Sequence, residues 1–257
     1  MESGNALKKK IECIGVTKSF YENGKELPVL EKIDITIVEN ELVVILGPGQ
    51  SGKTTLFRMI AGLEKPTTGK VLVDGKEVTG PGRHVGIVFQ RYMVFPWKTV
   101  LSNIALGPKL RGLPKSECHD IARHYIELVG LKGFEKSFPH QLSGGMKQRV
   151  GIARAMANDP DILLMDEPFG QLDAQTRIQM EQETARILQI EKKTVCFVTN
   201  NIDEAIYLGD RIIVLDGKLP GRMHKIHRVD LPRPRDFTDL AFLELRQRIT
   251  EETELTL

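Results

Sequence analysis

The stretch "ILGPGQSGKTTLF", residues 45–57, constrains the fold of this chain more than any other feature. It fits the pattern G-x-x-x-x-G-K-[ST]; the apolar run "ELVVILG" leads into it, and "TTLFRMIAGL" follows with apolar residues at helical spacing. A glycine-rich loop between a strand and a helix presents backbone N–H groups at the helix N-terminus, where they can surround an anion. The sequence therefore predicts a phosphate-binding loop in an α/β domain.

The residue types of this loop predict nucleotide chemistry rather than a flexible turn. Lys53 would reach the β- and γ-phosphates, and the Thr54 hydroxyl would ligate Mg²⁺. Gln50 stands where many such loops have glycine, and a left-handed conformation there costs about 1–2 kcal/mol, so we expect slightly altered geometry. The predicted nucleotide-binding residues of the loop are Gly47, Pro48, Gly49, Gln50, Ser51, Gly52, Lys53, Thr54 and Thr55.

Composition limits the other classes of function. The chain has 257 residues, a net charge of +2 and 3 cysteines without metal-ligand or redox spacing, so we expect reduced thiols and no nucleic-acid partner. No apolar run approaches the roughly 20 residues that span a bilayer, and "MESGNALKKKIE" lacks a signal-peptide core. We expect a soluble protein that reaches a membrane only through a partner.

The order of apolar patterns predicts strands that alternate with helices. Strand patterns occur in "IECIGVTKSF" and "KIDITIVEN", with "YENGKELP" as a hairpin-like turn region, and again in "GKVLVDGKEV" and "HVGIVFQ". Residues from about 91 to 157 are helical in pattern, and strands return in "DILLMDEP", "KTVCFVT" and "DRIIVLDGK" around one long helix. We predict a mostly parallel sheet with an inserted helical subdomain and an N-terminal antiparallel portion.

Two helical segments allow more detailed predictions. In "ECHDIARHYIELVGL" the spacing places Ile121, Tyr125, Leu128 and Val129 on one face. Residues 221–257 contain "LPRPRDFTDLAFLELRQRI", which reads as a Pro/Arg linker and an amphipathic helix. We expect a tether to a docking helix that ATP binding does not need; the alternative is a packed terminal helix that stability needs.

The segment "DILLMDEP" predicts two carboxylates at the carboxyl end of a buried strand, where open α/β sheets bind ligands. Asp166 would hold Mg²⁺ directly or through water. Glu167 is then placed to orient and deprotonate an attacking water. The simpler alternative is an exposed acidic turn before Pro168, which the phosphate-binding loop in the same chain disfavours.

The segment "HQLSGGMKQRV", residues 140–150, predicts a second helix start that can face an anion. Ser143 can cap this helix, while Gly144 and Gly145 leave backbone N–H groups uncovered. Two such helix starts in one chain suggest two surfaces that share one nucleotide.

Together these motifs resemble the ATP-binding-cassette (ABC) ATPases, over nearly all of residues 1–220. "LSGGMKQ" is similar to the family's LSGGQ-type signature. The resemblance implies a P-loop NTPase core in which Gln90 touches the metal and the attacking water, "GQLD" with Asp173 forms the D-loop, and Phe20, rather than Tyr21, stacks on adenine. It also implies Mg²⁺ held by Thr54, Gln90 and Asp166, and a head-to-tail homodimer with ATP between the loop of one subunit and the signature of the other.

The segments "FQRYMVFPWKTVLSNIALG", "EPFGQLDAQTR" and "VDLPRPRD" resemble the ATPase subunits of nitrate, sulfonate, taurine and bicarbonate importers. That implies a membrane permease contacted near Gln90–Trp97, an indirect solute-binding protein, and a place at the cytoplasmic face of the membrane. The aromatic residues Tyr92, Phe95 and Trp97 fit either the permease or ordinary packing of the helical subdomain.

"FVTNNIDEA" departs from the family, which has a histidine and an aspartate where this chain has Asn200 and Asn201. The first hypothesis is an ATP-hydrolysing importer subunit that uses Glu167, Gln90 and Asn200. The second is an ATP-gated regulatory subunit with weak hydrolysis. The third, a repair or translation protein, is disfavoured because the chain has one cassette, no heptad run and no internal repeat.

Overall fold

The computed structural model describes residues 8–253. These residues form two compact units, which are described separately. The first unit groups the described residues up to Gly82 with those from Thr194 onward, and the second unit is Arg83–Lys193. The predicted helical subdomain, about residues 91–157, lies within the second unit.

The elements follow one another in the order expected of an α/β chain. The first unit begins with β1 (Lys9–Glu22), β2 (Lys25–Val38), β3 (Leu42–Leu46), α1 (Lys53–Ile60), β4 (Thr68–Val73) and β5 (Lys76–Glu77). The second unit contains β6 (Val85–Val88), α2 (Val100–Ile104), α3 (Leu106–Leu110), α4 (Lys115–Leu128), α5 (Gly144–Ala157), β7 (Ile162–Asp166) and α6 (Ala174–Glu191). The chain then returns to the first unit with β8 (Thr194–Thr199), α7 (Ile202–Leu208), β9 (Arg211–Leu215), β10 (Met223–Arg228) and α8 (Leu240–Glu252).

The N-terminal antiparallel portion is confirmed as a four-stranded sheet in the order β2-β1-β4-β5. The turn between β1 and β2 is shorter than "YENGKELP", because Glu22 already pairs with Lys25. Asn23 and Gly24 form it with φ of 51° and 75°. Positive φ at both central residues matches the right-handed twist of the two strands, which explains the two-residue hairpin.

The parallel strands of the first unit place β3 between β8 and β9. Every residue of β3 and β8 is buried, as expected for strands covered on both faces. Strand β10 pairs antiparallel with β9 and has no counterpart among the predicted strands. Buried and exposed residues do not alternate along β10, because only His227 of this strand is buried. Its pairing with β9, rather than its own sequence pattern, therefore makes it a strand.

The C-terminal segment is packed into the first unit, so the predicted tether is wrong and the alternative of a packed terminal helix holds. Arg235 in the Pro/Arg stretch is buried and donates to backbone carbonyls of residues in and after α7. Helix α8 buries Phe242, Leu245 and Ile249. The proline- and arginine-rich sequence suggested a linker, because the sequence does not show that the Arg235 guanidinium binds buried backbone carbonyls.

The buried face of α4 differs by about one residue from the predicted one. Cys118, Ala122, Tyr125 and Ile126 are its buried residues, and Val129 just beyond it is also buried. The predicted Ile121 and Leu128 are only half-buried. Helices α2 and α5 contact α4, and this packing rather than periodicity alone determines which of its residues are buried.

Within residues 8–253, no helix has both the length and the apolar character needed to cross a bilayer.

Candidate active site

The phosphate-binding loop lies between β3 and α1, as predicted. Gly52 precedes α1 with φ of 85°, and Gln50 has φ of 66°. Gln50 therefore takes the left-handed conformation that was expected to cost a non-glycine residue free energy. Buried Gly47 follows the last residue of β3, and the chain turns through Gly49 and Gln50, which are exposed, before α1 begins at Lys53.

Lys53 is held inside this loop by backbone oxygens. Its ammonium donates to the carbonyls of Gly47 at 2.8 Å and Pro48 at 2.7 Å. The side chain is buried, with 4% of the residue exposed. These carbonyl contacts fix the position of the ammonium at the loop. The Lys53 side chain can therefore bind a polyanion without first having to become ordered.

Two glycines of the loop are required by close packing. A Cβ at Gly47 would lie 2.8 Å from the Ser51 Oγ atom, and a Cβ at Gly52 would lie 2.5 Å from Leu30 Cδ2. The Ser51 hydroxyl is buried and has no hydrogen-bond partner among the described residues 8–253. A buried polar group without a partner is costly, so this hydroxyl fits a loop that receives a phosphate oxygen.

The C-terminal segment supports the loop through Gly221. The Gly221 N–H donates to the Val29 carbonyl at 2.9 Å, and the Glu31 N–H donates to the Gly221 carbonyl at 2.9 Å. A Cβ at Gly221 would lie 2.1 Å from the Ser51 carbonyl oxygen, so only glycine permits this approach. Sequence reasoning did not identify Gly221, because a glycine between Pro220 and Arg222 is indistinguishable from an ordinary turn residue.

Asn200 leaves the parallel strands beside the loop. Leu46 at the end of β3 pairs with Thr199 at the end of β8, so Gly47 and Asn200 follow neighbouring strand ends. Asn200 is exposed. Its position in the first unit thus agrees with a role near the phosphates, although that role stays a prediction.

The junction that carries Asn200 is fixed by hydrogen bonds on its C-terminal side. The Thr199 hydroxyl accepts from the Asn201 N–H at 3.0 Å and donates to the Glu204 carboxylate at 2.6 Å. The Asn201 side chain caps α7 by accepting from the N–H groups of Asp203 at 2.8 Å and Glu204 at 3.1 Å. Asparagine before two acidic residues is a helix-start signal that sequence reasoning passed over.

In the second unit, Gln90 and Glu167 meet. Strands β6 and β7 run parallel with Val88 opposite Met165, so the residues that follow them emerge at one edge. The Gln90 Nε2 atom donates to Glu167 Oε2 at 3.3 Å. Glu167 has φ of 42°, a left-handed conformation that is uncommon for a residue other than glycine. A carboxylate oriented by an amide can act on a water molecule.

The signature segment forms a capped helix start. The Ser143 hydroxyl accepts from the Met146 N–H at 3.3 Å at the first turn of α5. A Cβ at Gly144 would lie 2.8 Å from the Tyr92 hydroxyl oxygen, and a Cβ at Gly145 would lie 2.8 Å from Thr176 Cγ2. Both glycines therefore allow the close approach of a neighbouring side chain, and they also leave their N–H groups uncovered.

Asp173 of the predicted D-loop caps α6. Its carboxylate accepts from the Thr176 N–H at 3.0 Å, and this backbone hydrogen bond is the main reason that the pKa of Asp173 lies below its usual range. The carboxylate at a helix N-terminus is favoured by the helix dipole.

The aromatic residues after Gln90 divide between packing and exposure. Tyr92 is half-buried and approaches Gly144. The Phe95 ring lies under the Arg154 guanidinium at 5.2 Å and 5.6 Å from the Trp97 ring. Trp97 itself is 71% exposed. The two interpretations therefore apply to different residues: packing accounts for Tyr92 and Phe95, and Trp97 is available to a partner.

Phe20 lies near the end of β1 and is 38% exposed. The Lys18 ammonium sits over its ring, 4.7 Å from the centroid. Tyr21 is more exposed, at 73%. Stacking of adenine on Phe20 stays a prediction, and it would have to use the ring face that Lys18 leaves uncovered.

The donor chemistry suits Mg²⁺ bound together with a nucleotide. Among residues 8–253, no group of three or more His, Cys, Asp or Glu side chains could hold a metal ion alone. Thr54, Gln90 and Asp166 instead offer a hydroxyl, an amide oxygen and a carboxylate. Mg²⁺ prefers oxygen ligands and is commonly held by one or two carboxylates together with phosphates and water, so the oxygen donors of these residue types have suitable chemistry.

Comparisons with known proteins agree with these features. Residues 30–170 match the family described as ABC transporter. An uncharacterized ABC transporter ATP-binding protein of Methanocaldococcus jannaschii is 54% identical over 243 residues, which are 95% of this chain and 91% of that protein. The aliphatic sulfonates import ATP-binding protein SsuB of Bacillus cereus is 42% identical over 240 residues, 93% of this chain and 94% of that protein. A dimeric ATP-binding cassette in a post-hydrolysis state, bound to ADP and Pi, has a TM-score of 0.75 and 32% identity, covering 86% of this chain and all of that one.

Proposed function

Since the chain belongs to the ATP-binding subunits of ABC transporters and is an ATPase of that family, we propose that it hydrolyses ATP to drive import of a small anionic solute. The observation that carries the proposal is the Gln90–Glu167 pair at the strand edge that also ends with Asp166. Phosphate release from Mg·ATP by the purified chain, reconstituted with its permease in lipid, tests it. Absence of release under those conditions would favour the ATP-gated regulatory subunit.

We assign ATP binding to the loop of the first unit. The backbone N–H groups of residues 47–55, except Pro48, which has none, surround the phosphates. Lys53 supplies the countercharge, and Phe20 stacks on the base. Thr54, Gln90 and Asp166 would hold Mg²⁺, which would supply positive charge to neutralise the phosphates. The unpartnered Ser51 hydroxyl supports this assignment, because a phosphate oxygen in the loop would give this hydroxyl a hydrogen-bond partner.

Glu167 serves as the general base in this proposal. The carboxylate takes a proton from water as the oxygen attacks the γ-phosphorus, and the leaving group is ADP. Gln90, 3.3 Å from Glu167, keeps the carboxylate oriented toward that water. Asn200 donates an amide hydrogen bond to the γ-phosphate, since asparagine retains a donor without a titratable charge.

A second copy of the chain completes the phosphate contacts. Ser143, Gly144 and Gly145 of one subunit would face the ATP held by the loop of the other, in a head-to-tail homodimer. The dimeric cassette bound to ADP and Pi supports this arrangement, and the exposed Trp97 supports a permease contact near Gln90–Trp97. The membrane location follows from the permease, and a solute-binding protein delivers cargo on the far side.

The solute class rests on the relative that imports aliphatic sulfonates. We propose an aliphatic sulfonate such as taurine first, with nitrate and bicarbonate as the other candidates. Uptake of labelled sulfonate by vesicles that contain the copurified permease, ATPase and solute-binding protein would identify the cargo. Uptake of nitrate or bicarbonate instead would change the solute and leave the ATPase assignment intact.

We expect Lys53→Ala to weaken ATP binding by at least about tenfold. The substitution deletes the charge fixed against the Gly47 and Pro48 carbonyls, and a charge-assisted contact exceeds a neutral hydrogen bond in strength. Equilibrium titration with a fluorescent ATP analogue measures it, with Lys70→Ala as the matched control on β4. Unchanged affinity would show that the loop with Gln50 binds phosphate in another way.

We expect Asn200→His to raise turnover with little change in ATP affinity. Complete removal of one preorganised donor lowers the rate by roughly 10²–10³-fold. Asparagine keeps a donor at this position, so replacing it with histidine should recover only part of that factor, about tenfold. Steady-state phosphate release separates kcat from KM. Asn201→His is the control, because Asn201 caps α7 instead. An equal gain from both variants would contradict a specific role for position 200.

A further inference from the structure

A cavity of about 310 Å³ lies in the second unit, among α2, α3 and the start of α4. None of its lining residues has a role in the proposed ATP chemistry. Its rim carries Lys98, Lys109 and Lys115. The volume falls at the lower end of the range of small-molecule sites, roughly 300–1,000 Å³.

The three lysines of the rim are unpaired. No acidic side chain forms an ion pair or hydrogen bond with any of them among residues 8–253, whereas Lys132 of the same unit pairs with Glu127 at 2.9 Å. No carboxylate lines the cavity. Three ammonium groups around one cavity repel one another, and an anion inside would relieve that repulsion.

Helical spacing keeps acidic residues out of the cavity. Lys115, Cys118 and His119 line it from α4, at positions i, i+3 and i+4 of one face. Asp120 of the same helix pairs with Arg123 at 2.9 Å and does not line the cavity. The positive face is therefore a property of the sequence register of α4.

The floor of the cavity is apolar and its wall has hydroxyl and imidazole groups. Ala105 and Cys118 are 7% and 3% exposed, and the Cys118 thiol donates to the Leu113 carbonyl at 3.4 Å. The Ser102 hydroxyl accepts from the Thr99 hydroxyl at 3.1 Å, which leaves its own O–H to donate to a ligand. A ligand with both an anionic and an apolar part fits these surroundings.

We propose that this cavity binds an organic anion in which a sulfonate or phosphate group is joined to a short apolar chain. The oxyanion would contact the lysines of the rim, and the chain would cover the floor. The same chemistry exists in a free solute and in an anionic lipid headgroup, so the experiment needs one arm for each source.

The first arm is calorimetric titration of the full chain with hexane-1-sulfonate and methanesulfonate. We expect saturable one-to-one binding of hexane-1-sulfonate with a Kd of about 1 mM or below. Methanesulfonate should bind more weakly, by up to about fourfold for each methylene it lacks, because less apolar surface is buried. Equal affinities for the two sulfonates would contradict the apolar floor.

The double variant K109A/K115A should lose at least about tenfold in affinity for hexane-1-sulfonate, since it removes two charge-assisted contacts. Lys136→Ala is the control, because this lysine is exposed, lies in the same unit and does not line the cavity. ATP binding should be equal in all three proteins, which shows that the fold is kept. Similar losses in the double variant and the control would overturn the proposal.

The second arm is flotation with vesicles of phosphatidylcholine that contain phosphatidylglycerol. Flotation that K109A/K115A abolishes and Lys136→Ala keeps, without binding of hexane-1-sulfonate, would assign the site to a lipid headgroup. Binding of hexane-1-sulfonate without such flotation would assign it to a free solute. If neither probe binds in a way that depends on Lys109 and Lys115, the proposal is wrong.

Discussion

Glu167→Gln should lower ATP hydrolysis by about 10²–10⁴-fold and leave ATP binding intact. Glutamine keeps the shape of the side chain and a contact with Gln90, but it cannot take a proton from water. The substitution leaves Lys53 and the rest of the nucleotide loop, residues 47–55, unchanged in sequence. Phosphate release and equilibrium ATP titration, measured on the same preparation, separate the two effects.

Glu167→Gln should accumulate as a dimer when Mg·ATP is added, because the ATP bound between the two copies is no longer hydrolysed. Light scattering with and without nucleotide measures the change in mass. Glu117→Gln is the matched control, since Glu117 is exposed on α4 of the same unit. Hydrolysis at the native rate in Glu167→Gln would remove Glu167 from the role of base.

Arg235→Ala should lower the free energy of unfolding by about 3 kcal/mol, a value set by the loss of several hydrogen bonds to a charged group. The guanidinium donates to the carbonyls of Ile206 at 2.6 Å, Gly209 at 2.6 Å and Val229 at 3.2 Å. It thus satisfies groups at the C-terminal end of α7, where a helix has carbonyls without partners. Burial lowers the pKa of Arg235 to about 10, which leaves it charged at neutral pH.

Urea denaturation of the full chain measures this effect, with the slope compared between variants. Arg228→Ala is the control, because Arg228 is exposed on β10. The effect should be local to the first unit, where α7 starts directly after Asn200 and Asn201. A loss below about 0.5 kcal/mol, the usual range for surface changes, would contradict a stabilising role for the hydrogen bonds of Arg235.

Local motifs determined most of the candidate site. The loop around Lys53, the Ser143 cap and the strand that ends at Asp166 each depend on neighbours within a few residues, and hydrogen-bond geometry at a strand end or helix start is set by those neighbours. Gln50 takes the left-handed backbone conformation in spite of its cost to a non-glycine residue, where the sequence had predicted a slightly altered geometry. Family resemblance added the roles of Phe20, Gln90 and Asn200, which no local rule supplies.

Long-range contacts were beyond the sequence, for a physical reason. Gln90 reaches Glu167 across 77 positions only because β6 and β7 are adjacent and in register. The buried face of α4 depends on its packing with α2 and α5. Arg235 binds backbone carbonyls of α7 only because the last segment packs against that helix.

The amino-acid sequence by itself therefore determined the class of fold, the phosphate-binding loop and the nucleotide chemistry, because these depend on local patterns and on turns that few residue types allow. Only the tertiary structure decided which glycines are packed, as Gly221 is against Ser51, and that the C-terminal segment belongs to the unit with the nucleotide loop. Burial and partner choice are properties of residues that are distant in the chain, so no local pattern encodes them.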